Sequence, residues 1–327
     1  LILTTITIDL ATSLFRLLQT FGVPKKSRKM KFIITGSLGH ISRPLTEQLV
    51  QKRHSVTVIS SNPEKKRDIE ALGAAAAIGS LEDLNFLTTT FKAADAVYSM
   101  IPPGNFLDHD LDVMAHYDKL SNNYAKAIQQ SGVNRLIHLS SIGAHTDKGN
   151  GILVFHYNAE NILKKLLPDT AITFMRPVGF YYNLFAFINT IKTQGNIVSN
   201  YGGDDKEPWV SPIDIANAIA GEMVTPLKGR KISYVASDEI SCNEVAAILG
   251  AAIGKPDLKW LVIPDEQLLR NMRGAGINPQ IAAGLVEMNA ARRGSVLYED
   301  YFRNRPTLGK VKIASFAKEF AGVFNGK

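Results

Sequence analysis

From Met30 onward, short apolar runs alternate with stretches in which apolar residues recur every three to four positions. The runs at 31–35, 55–60, 74–78, 96–100, 135–140 and 171–176 predict β-strands. The segments between them, 40–53, 63–72, 82–92, 110–131 and 157–167, predict helices. Strand, helix and strand in repetition implies parallel pairing through crossover connections. A sheet covered on both faces accounts for unbroken apolar strands such as Phe32-Ile33-Ile34 and Leu136-Ile137. The pattern therefore predicts an α/β fold built on a doubly wound parallel sheet.

After Arg176 the alternation fades. Ser211-Pro212-Ile213-Asp214 reads as a helix start, with serine as cap, proline in the first turn and an acid three residues on. Ser241-Cys242-Asn243-Glu244 is a second start of that kind, and 231–236 between them reads as a strand. Residues 261–327 are mostly helical in pattern, with Pro279 opening one helix and Gly294 closing it. The expected organisation is a first domain over 30–177 and a smaller mixed, mostly helical lobe over 178–327, the chain crossing back near 207–236. Residues 1–29 carry Leu10, Leu14, Leu17, Leu18 and Phe21 at helical spacing, followed by Lys25, Lys26, Arg28 and Lys29. Asp9 and Arg16 interrupt the run, so it is not a membrane span, and basic residues after the apolar part are the wrong order for a signal peptide. Two readings stand: an extension outside the fold, or an amphipathic surface helix with a basic tail on an anionic membrane.

Composition narrows the class without naming a function. At 327 residues, 45% hydrophobic and 20% charged, the chain can bury a large core. A single cysteine, Cys242, excludes an internal disulfide framework and any cysteine-based zinc cluster, and fits a reducing cytoplasm. The net charge of +7 is concentrated at the start, where five cations against Asp9 give residues 1–29 a charge of +4. The remainder has no basic stripe interleaved with aromatics, which argues against a nucleic-acid partner.

The chemistry starts at the end of the first strand. Thr35 is followed by Gly36-x-x-Gly39-x-x-Ser42 and then by a helical pattern. A strand that turns sharply into a helix presents backbone N–H groups and the positive end of the helix dipole to an anion. Gly36 permits the tight turn, Gly39 lets a pyrophosphate approach the backbone, and Ser42 replaces the usual third glycine with another small residue. The turn predicts a bound dinucleotide on a Rossmann-type sheet. NAD binders place an acid about 20 residues beyond the glycines, to hold the ribose hydroxyls. Here the second strand ends in Ser60-Ser61-Asn62, with Lys65, Lys66 and Arg67 beyond. That set suits a 2′-phosphate, so NADP(H) is the preferred cofactor and NAD(H) the alternative. Asp108, His109, Asp110 and Asp112 look like metal ligands, but acids that begin a helix explain them better, and no metal is expected.

These residues resemble the NmrA-like family, an atypical branch of the short-chain dehydrogenase/reductase superfamily. The matching pieces are Thr35-Gly36-x-x-Gly39, Gly79-Ser80-Leu81-Glu82-Asp83, Ala94-Asp95-Ala96-Val97 and His138-Leu139-Ser140-Ser141. They continue with His156-x-x-x-Glu160-x-x-Leu163, Thr173-Phe174-Met175-Arg176-Pro177 and Asp214-Ile215-Ala216, and span roughly residues 30–225. The resemblance implies an NAD(P) cleft with a small lobe over the nicotinamide. By position it implies that Gly36, Ser37, Leu38, Gly39, His40 and Ile41 line the pyrophosphate. Ser60, Ser61 and Lys65 would meet the adenosine ribose, and Ser80 and Leu81 the adenine. Met100, Ile101, Pro102, Ser140 and His156 would lie along the nicotinamide.

The departure from the superfamily is equally informative. Its reductases use Tyr-x-x-x-Lys, in which the lysine lowers the tyrosine pKa. Alignment on Glu160 puts His156 at the lysine position and Ile152 at the tyrosine position. His156 is then the candidate proton donor or nicotinamide contact, since imidazole titrates in the right range. The aromatic run from Phe180 to Phe185 is a candidate pocket wall, with Tyr181 or Tyr182 reaching the substrate. The expected function is direct hydride transfer from NADPH to a quinone-like or other conjugated small-molecule acceptor, without a Tyr/Lys pair. The alternative is a non-catalytic NAD(P) sensor acting through a protein partner.

Overall fold

The computed structural model describes residues 28–294 and 296–326. The expectations for residues 1–27 lie outside the described residues. Six strands follow one another along the first half of the chain: β1 (Lys31–Ile34), β2 (Ser55–Ser60), β3 (Ala75–Ile78), β4 (Ala96–Ser99), β5 (Arg135–Leu139) and β6 (Ala171–Pro177). They pair in parallel in the order β3-β2-β1-β4-β5-β6, with Ile33 of β1 opposite Thr57 of β2 and Val97 of β4. This is the doubly wound arrangement, with its switch point between β1 and β4, where such folds bind ligands at the carboxyl ends of the strands. The apolar runs became the sheet because both faces are covered: Phe32, Ile33 and Ile34 are all fully buried.

Local chemistry sets the crossover helices. The helix Ser42–Gln51 buries Leu45 and Leu49, one turn apart. Asp83 and Asp112 cap the helices Leu84–Phe91 and Val113–Ser131, accepting from the N–H groups of Phe86 and Ala115 at 3.0 Å each. Gly132, at φ 73°, closes the second of these in the left-handed conformation. The helix expected over 157–167 begins earlier, as Val154–Leu166, behind a 3₁₀ turn at Gly151–Leu153.

Beyond β6 the chain adds six short strands, of which the sequence announces one, at 231–236. These are β7 (Gly179–Phe180), β8 (Ile197–Ser199), β9 (Lys206–Val210), β10 (Arg230–Val235), β11 (Asp238–Ser241) and β12 (Trp260–Val262). β10 returns to the large sheet as a seventh parallel strand beside β6. β11, β9 and β7 form a three-stranded sheet, and β12 pairs with β8. Two hydrophobic clusters result. One joins Ile33, Val97 and Leu136 to Tyr124, Ile128 and Leu163 of the helices. The other gathers Tyr181, Trp209, Leu249, Phe316 and Phe320.

Both helix starts read from sequence are present, with one difference. Ser241 and Glu244 form the reciprocal capping pair. Ser211 caps Ile213, but Asp214 does not reach back. Its carboxylate instead accepts from the Ser237 hydroxyl at 2.7 Å and the Val311 N–H at 2.9 Å, fastening the segment before the last helix, Ile313–Phe324. Among the described residues, no helix is long and apolar enough to cross a membrane.

Candidate functional site

Every expected cofactor residue lies at or just beyond the carboxyl end of a strand, or at the start of the helix after it. Thr35 follows β1 directly, and its Oγ1 accepts from the Met100 N–H at 2.9 Å, so the turns after β1 and β4 are fixed together. Gly36 has φ +88°, which favours glycine, and Ser37 follows at φ +53°. The Gly39 N–H returns to the Gly36 carbonyl at 3.1 Å. Ser42 does more than fit where a third glycine is usual: its hydroxyl donates to the Thr35 carbonyl at 2.8 Å and pins the helix start to the strand end. Ser37 and Ser60 meet hydroxyl to hydroxyl at 3.0 Å, which joins the turn to the end of β2. Two successive left-handed residues at a helix N-terminus form a concave backbone surface suited to linked phosphates, so the turn fits the pyrophosphate of a dinucleotide. Lys65 stands near the end of β2, half-exposed and paired with Asp68 at 3.2 Å, while Ser61 is exposed. Ser80 and Leu81 follow β3, where the Ser80 hydroxyl accepts from the Glu82 N–H.

Of the residues expected along the nicotinamide, Ser140 is bound to a buried ion pair centred on Glu160. The Ser140 hydroxyl donates to Glu160 Oε1 at 2.7 Å, and Arg176 grips both carboxylate oxygens at 2.8 Å each. Lys164 adds a contact at 2.9 Å. Burial pushes the Glu160 carboxyl up, but the guanidinium outweighs it and holds the group below the ordinary carboxylate range. Ser140 is therefore committed to this buried pair.

His156 lies among Tyr117 and Phe155, with ring centroids 5.7 Å and 4.5 Å away. Its Nδ1 is buried without a partner. Burial first, and the nearby His138 second, push His156 down to about 3 against the pull of Glu160. The sequence places imidazole in the right titration range; the structure moves this one out of it, because an apolar surround disfavours the charged ring. His156 is neutral at pH 7 and has no proton to spare as an imidazolium. His138, with Nδ1 2.8 Å from the Ser99 hydroxyl, is likewise pushed down by burial, to about 4. Both rings bind protons more readily in the unfolded chain, so their contribution to stability is complete above pH 6.5 and declines as pH falls below it. Each can add a slope of up to about 1.4 kcal/mol per pH unit in that window. The urea midpoint is expected to drop between pH 7.5 and pH 5, and His156→Asn should flatten the drop. An unchanged slope in the variant would refute this assignment.

Tyr181 is fully buried in the second cluster, stacked on Phe316 at 5.5 Å, and its hydroxyl donates to Asp238 at 2.6 Å. Burial and that carboxylate raise its pKa well above the ordinary phenol value. Its neighbour Tyr182 turns the other way, and its ring lies 3.8 Å from that of His40 on the glycine turn. Phe180 and Asn183 of the same run line a cavity of about 200 Å³ with Ser141, Val178 and Tyr298. The aromatic run is thus shared out: Tyr181 and Phe185 go to the core, Tyr182 to the glycine turn, and Phe180 to a chamber at the ends of β5 and β6. A second cavity, of about 510 Å³, meets the first at Arg292 and Tyr298. The Arg292 guanidinium lies over Tyr201 and Trp209, 4.0 and 4.8 Å from the ring centroids, and is paired with Glu207.

Sequence reasoning missed Asn183 as a polar lining residue, although it stands inside the aromatic run, and missed Arg292 and Tyr298 entirely. No spacing signal links residues 292 and 298 to β6; only the folded chain does. The acids after Pro102-Pro103-Gly104 serve local turns, with Asp108 accepting from the Asp110 N–H and Asp112 capping a helix. Among the described residues no group of three or more His, Cys, Asp or Glu could hold a metal.

Comparison with known proteins agrees with the fold and with NAD(P)H binding. A family model described as NAD(P)H-binding matches residues 36–225. The NAD(P)H azoreductase of Xenophilus azovorans is 24% identical over 260 residues, covering 79% of this chain and 86% of that protein. In structure, the chain is similar to an NADPH-dependent quinone oxidoreductase from Escherichia coli in complex with NADPH. The TM-score is 0.69 at 17% identity, over 88% of this chain and 99% of that one. A Citrobacter triphenylmethane reductase in complex with NADP(H) gives a TM-score of 0.68 at 17% identity, over 89% and 99%. At such identity these two show a common fold.

Proposed function

The chain belongs to the NAD(P)H-binding family, and on that premise we propose that it is an NADP(H)-dependent oxidoreductase that passes hydride to a quinone-like or other conjugated carbonyl acceptor. The observation that carries this reading is the 200 Å³ chamber walled by Ser141, Val178 and Phe180, directly beyond the ends of β5 and β6. The names of an azoreductase and a quinone oxidoreductase among similar proteins support it. Residues 30–177 would hold the cofactor, and residues 178–327 would wall the acceptor.

When bound, the dihydronicotinamide supplies the hydride. The chain supplies position. Gly36 to Ile41 would hold the pyrophosphate, the strand ends would place the ring, and the chamber would seat the acceptor beside it. Neutral His156 can offer a hydrogen bond but not a proton. A conjugated acceptor tolerates this, because its added charge spreads through the ring until solvent protonates it.

The end of β2 carries no acid, so the dissociation constant for NADPH is expected to lie at least tenfold below that for NADH. Calorimetry with both nucleotides tests this, and a tenfold preference for NADH would reverse it. NADPH oxidation across a quinone panel tests the reaction. Tight binding without turnover of any acceptor would make the protein a cofactor sensor instead.

A further inference from the structure

We infer that Asn183 and Ser141 hold the carbonyl oxygens of the acceptor, and that the acceptor is a small quinone of one or two rings. The inference rests on the hydride-transfer reading above and specifies its acceptor site. Four polar side chains line the 200 Å³ chamber: Ser141, Asn183, Arg292 and Tyr298. Two are committed elsewhere. Arg292 donates to Glu207 through Nε at 2.9 Å and Nη2 at 2.8 Å, and the Tyr298 hydroxyl donates to Glu207 Oε2 at 2.7 Å. The Asn183 amide, exposed at the open side of the chamber, and the Ser141 hydroxyl, partly buried at its wall, have no hydrogen-bond partner among the described residues. The other lining residues, such as Ile142, Phe180 and Leu297, are apolar apart from Gly179.

An apolar chamber with a few uncommitted donors is what a flat ring with carbonyl oxygens requires. Its volume of about 200 Å³ suits a small acceptor, since pockets for drug-sized ligands run from about 300 Å³ upward. The way into the larger cavity is closed by Arg292 and Tyr298. Glu207, which anchors both, also accepts from the Cys242 thiol at 2.9 Å, so that wall is fixed on three sides. An acceptor that extended into the larger cavity would have to displace a buried ion pair.

The donors also fit the reaction. Hydride transfer breaks the C4–H bond of the dihydronicotinamide and gives the quinone two electrons and a hydrogen. The nicotinamide is oxidised, and the product is a hydroquinone monoanion with its charge on oxygen. Asn183 N–H and Ser141 O–H would donate to that oxygen, and a proton from water completes the hydroquinone. Neutral donors to the developing charge would take the place of a tyrosine acid.

Two measurements test the inference. In steady state with NADPH and 1,4-naphthoquinone, Asn183→Leu and Ser141→Ala should each lower kcat about 10- to 100-fold. The dissociation constant for NADPH should change less than twofold. Separately, coumarin, a flat carbonyl compound, should bind the NADP⁺-saturated protein in calorimetry, at least tenfold more weakly in Asn183→Leu. Unchanged coumarin affinity in both variants would overturn the site. Turnover of a three-ring anthraquinone sulfonate as fast as naphthoquinone would overturn the size limit. If the unmodified protein oxidises no NADPH with any quinone, the hydride reading fails, and the coumarin titration alone decides whether the carbonyl site stands.

Discussion

Replacing Glu160 with alanine should lower the unfolding free energy by about 3–5 kcal/mol. The cost comes mainly from stranding the charge of Arg176, and less from losing the attraction itself. Arg176 is 2% exposed, and two of its donors point at Glu160. Removing the carboxylate leaves a guanidinium that cannot reach water and keeps only Asp300, Tyr234 and the Ala144 carbonyl as partners. The Ser140 hydroxyl and the Lys164 ammonium lose their acceptor in the same step. Asp300, 3.0 Å from Nη1, compensates part of the charge, which favours the lower end of the range. Urea unfolding followed by circular dichroism checks it, and a loss under about 1 kcal/mol would show that Asp300 alone neutralises Arg176. Glu160→Gln keeps the shape and two acceptor or donor sites, so it should fall between.

The second large effect is expected at Gly36. Valine there should raise the dissociation constant for NADPH at least 100-fold, about 2.7 kcal/mol. Two causes act together. The backbone at φ +88° is one that a β-branched residue adopts only under strain. A β-carbon would also stand 2.8 Å from the Ser42 hydroxyl and 3.0 Å from the Met100 side chain. Either the turn opens or Ser42 and Met100 move, and both spoil the surface presented to phosphate. Because Ser42 also fastens the helix to Thr35, a fall in melting temperature should accompany the loss of affinity. Retained affinity in a folded Gly36→Val variant would mean that the dinucleotide lies elsewhere.

The two regions differ in how far the sequence discloses them. Six parallel strands could be placed within a residue or so, because each is a short, mostly apolar run bounded by turns. Phe32 to Ile34 and Leu136-Ile137 have no other way to bury both faces. The glycine turn was legible because its glycines, its small Ser42 and the strand and helix on either side are consecutive in sequence, although Met100, Ser60 and Tyr182 also hold it. The acceptor side was not. Tyr181, Tyr182 and Asn183 are consecutive, yet they face a core, a cofactor turn and a chamber, and only the 3₁₀ path Tyr181–Phe187 decides which goes where. Arg292 and Glu207 are 85 positions apart and carry no pattern that pairs them. The low pKa of His156 was equally hidden, because its surround of Tyr117, Phe155 and His138 is assembled from three separate segments.

The late return of β10 has a consequence for biosynthesis. Strand β6 ends at Pro177, and the neighbour that covers its outer edge does not begin until Arg230. At ribosomal rates of about 5–20 residues per second, that edge stays open for about 3–10 s, besides the time needed to clear the exit tunnel. An unpaired parallel strand of seven buried residues is an invitation to mispair during that interval. Nascent chains arrested between these two strands should recruit holdase chaperones, and chains arrested well beyond Val235 should release them.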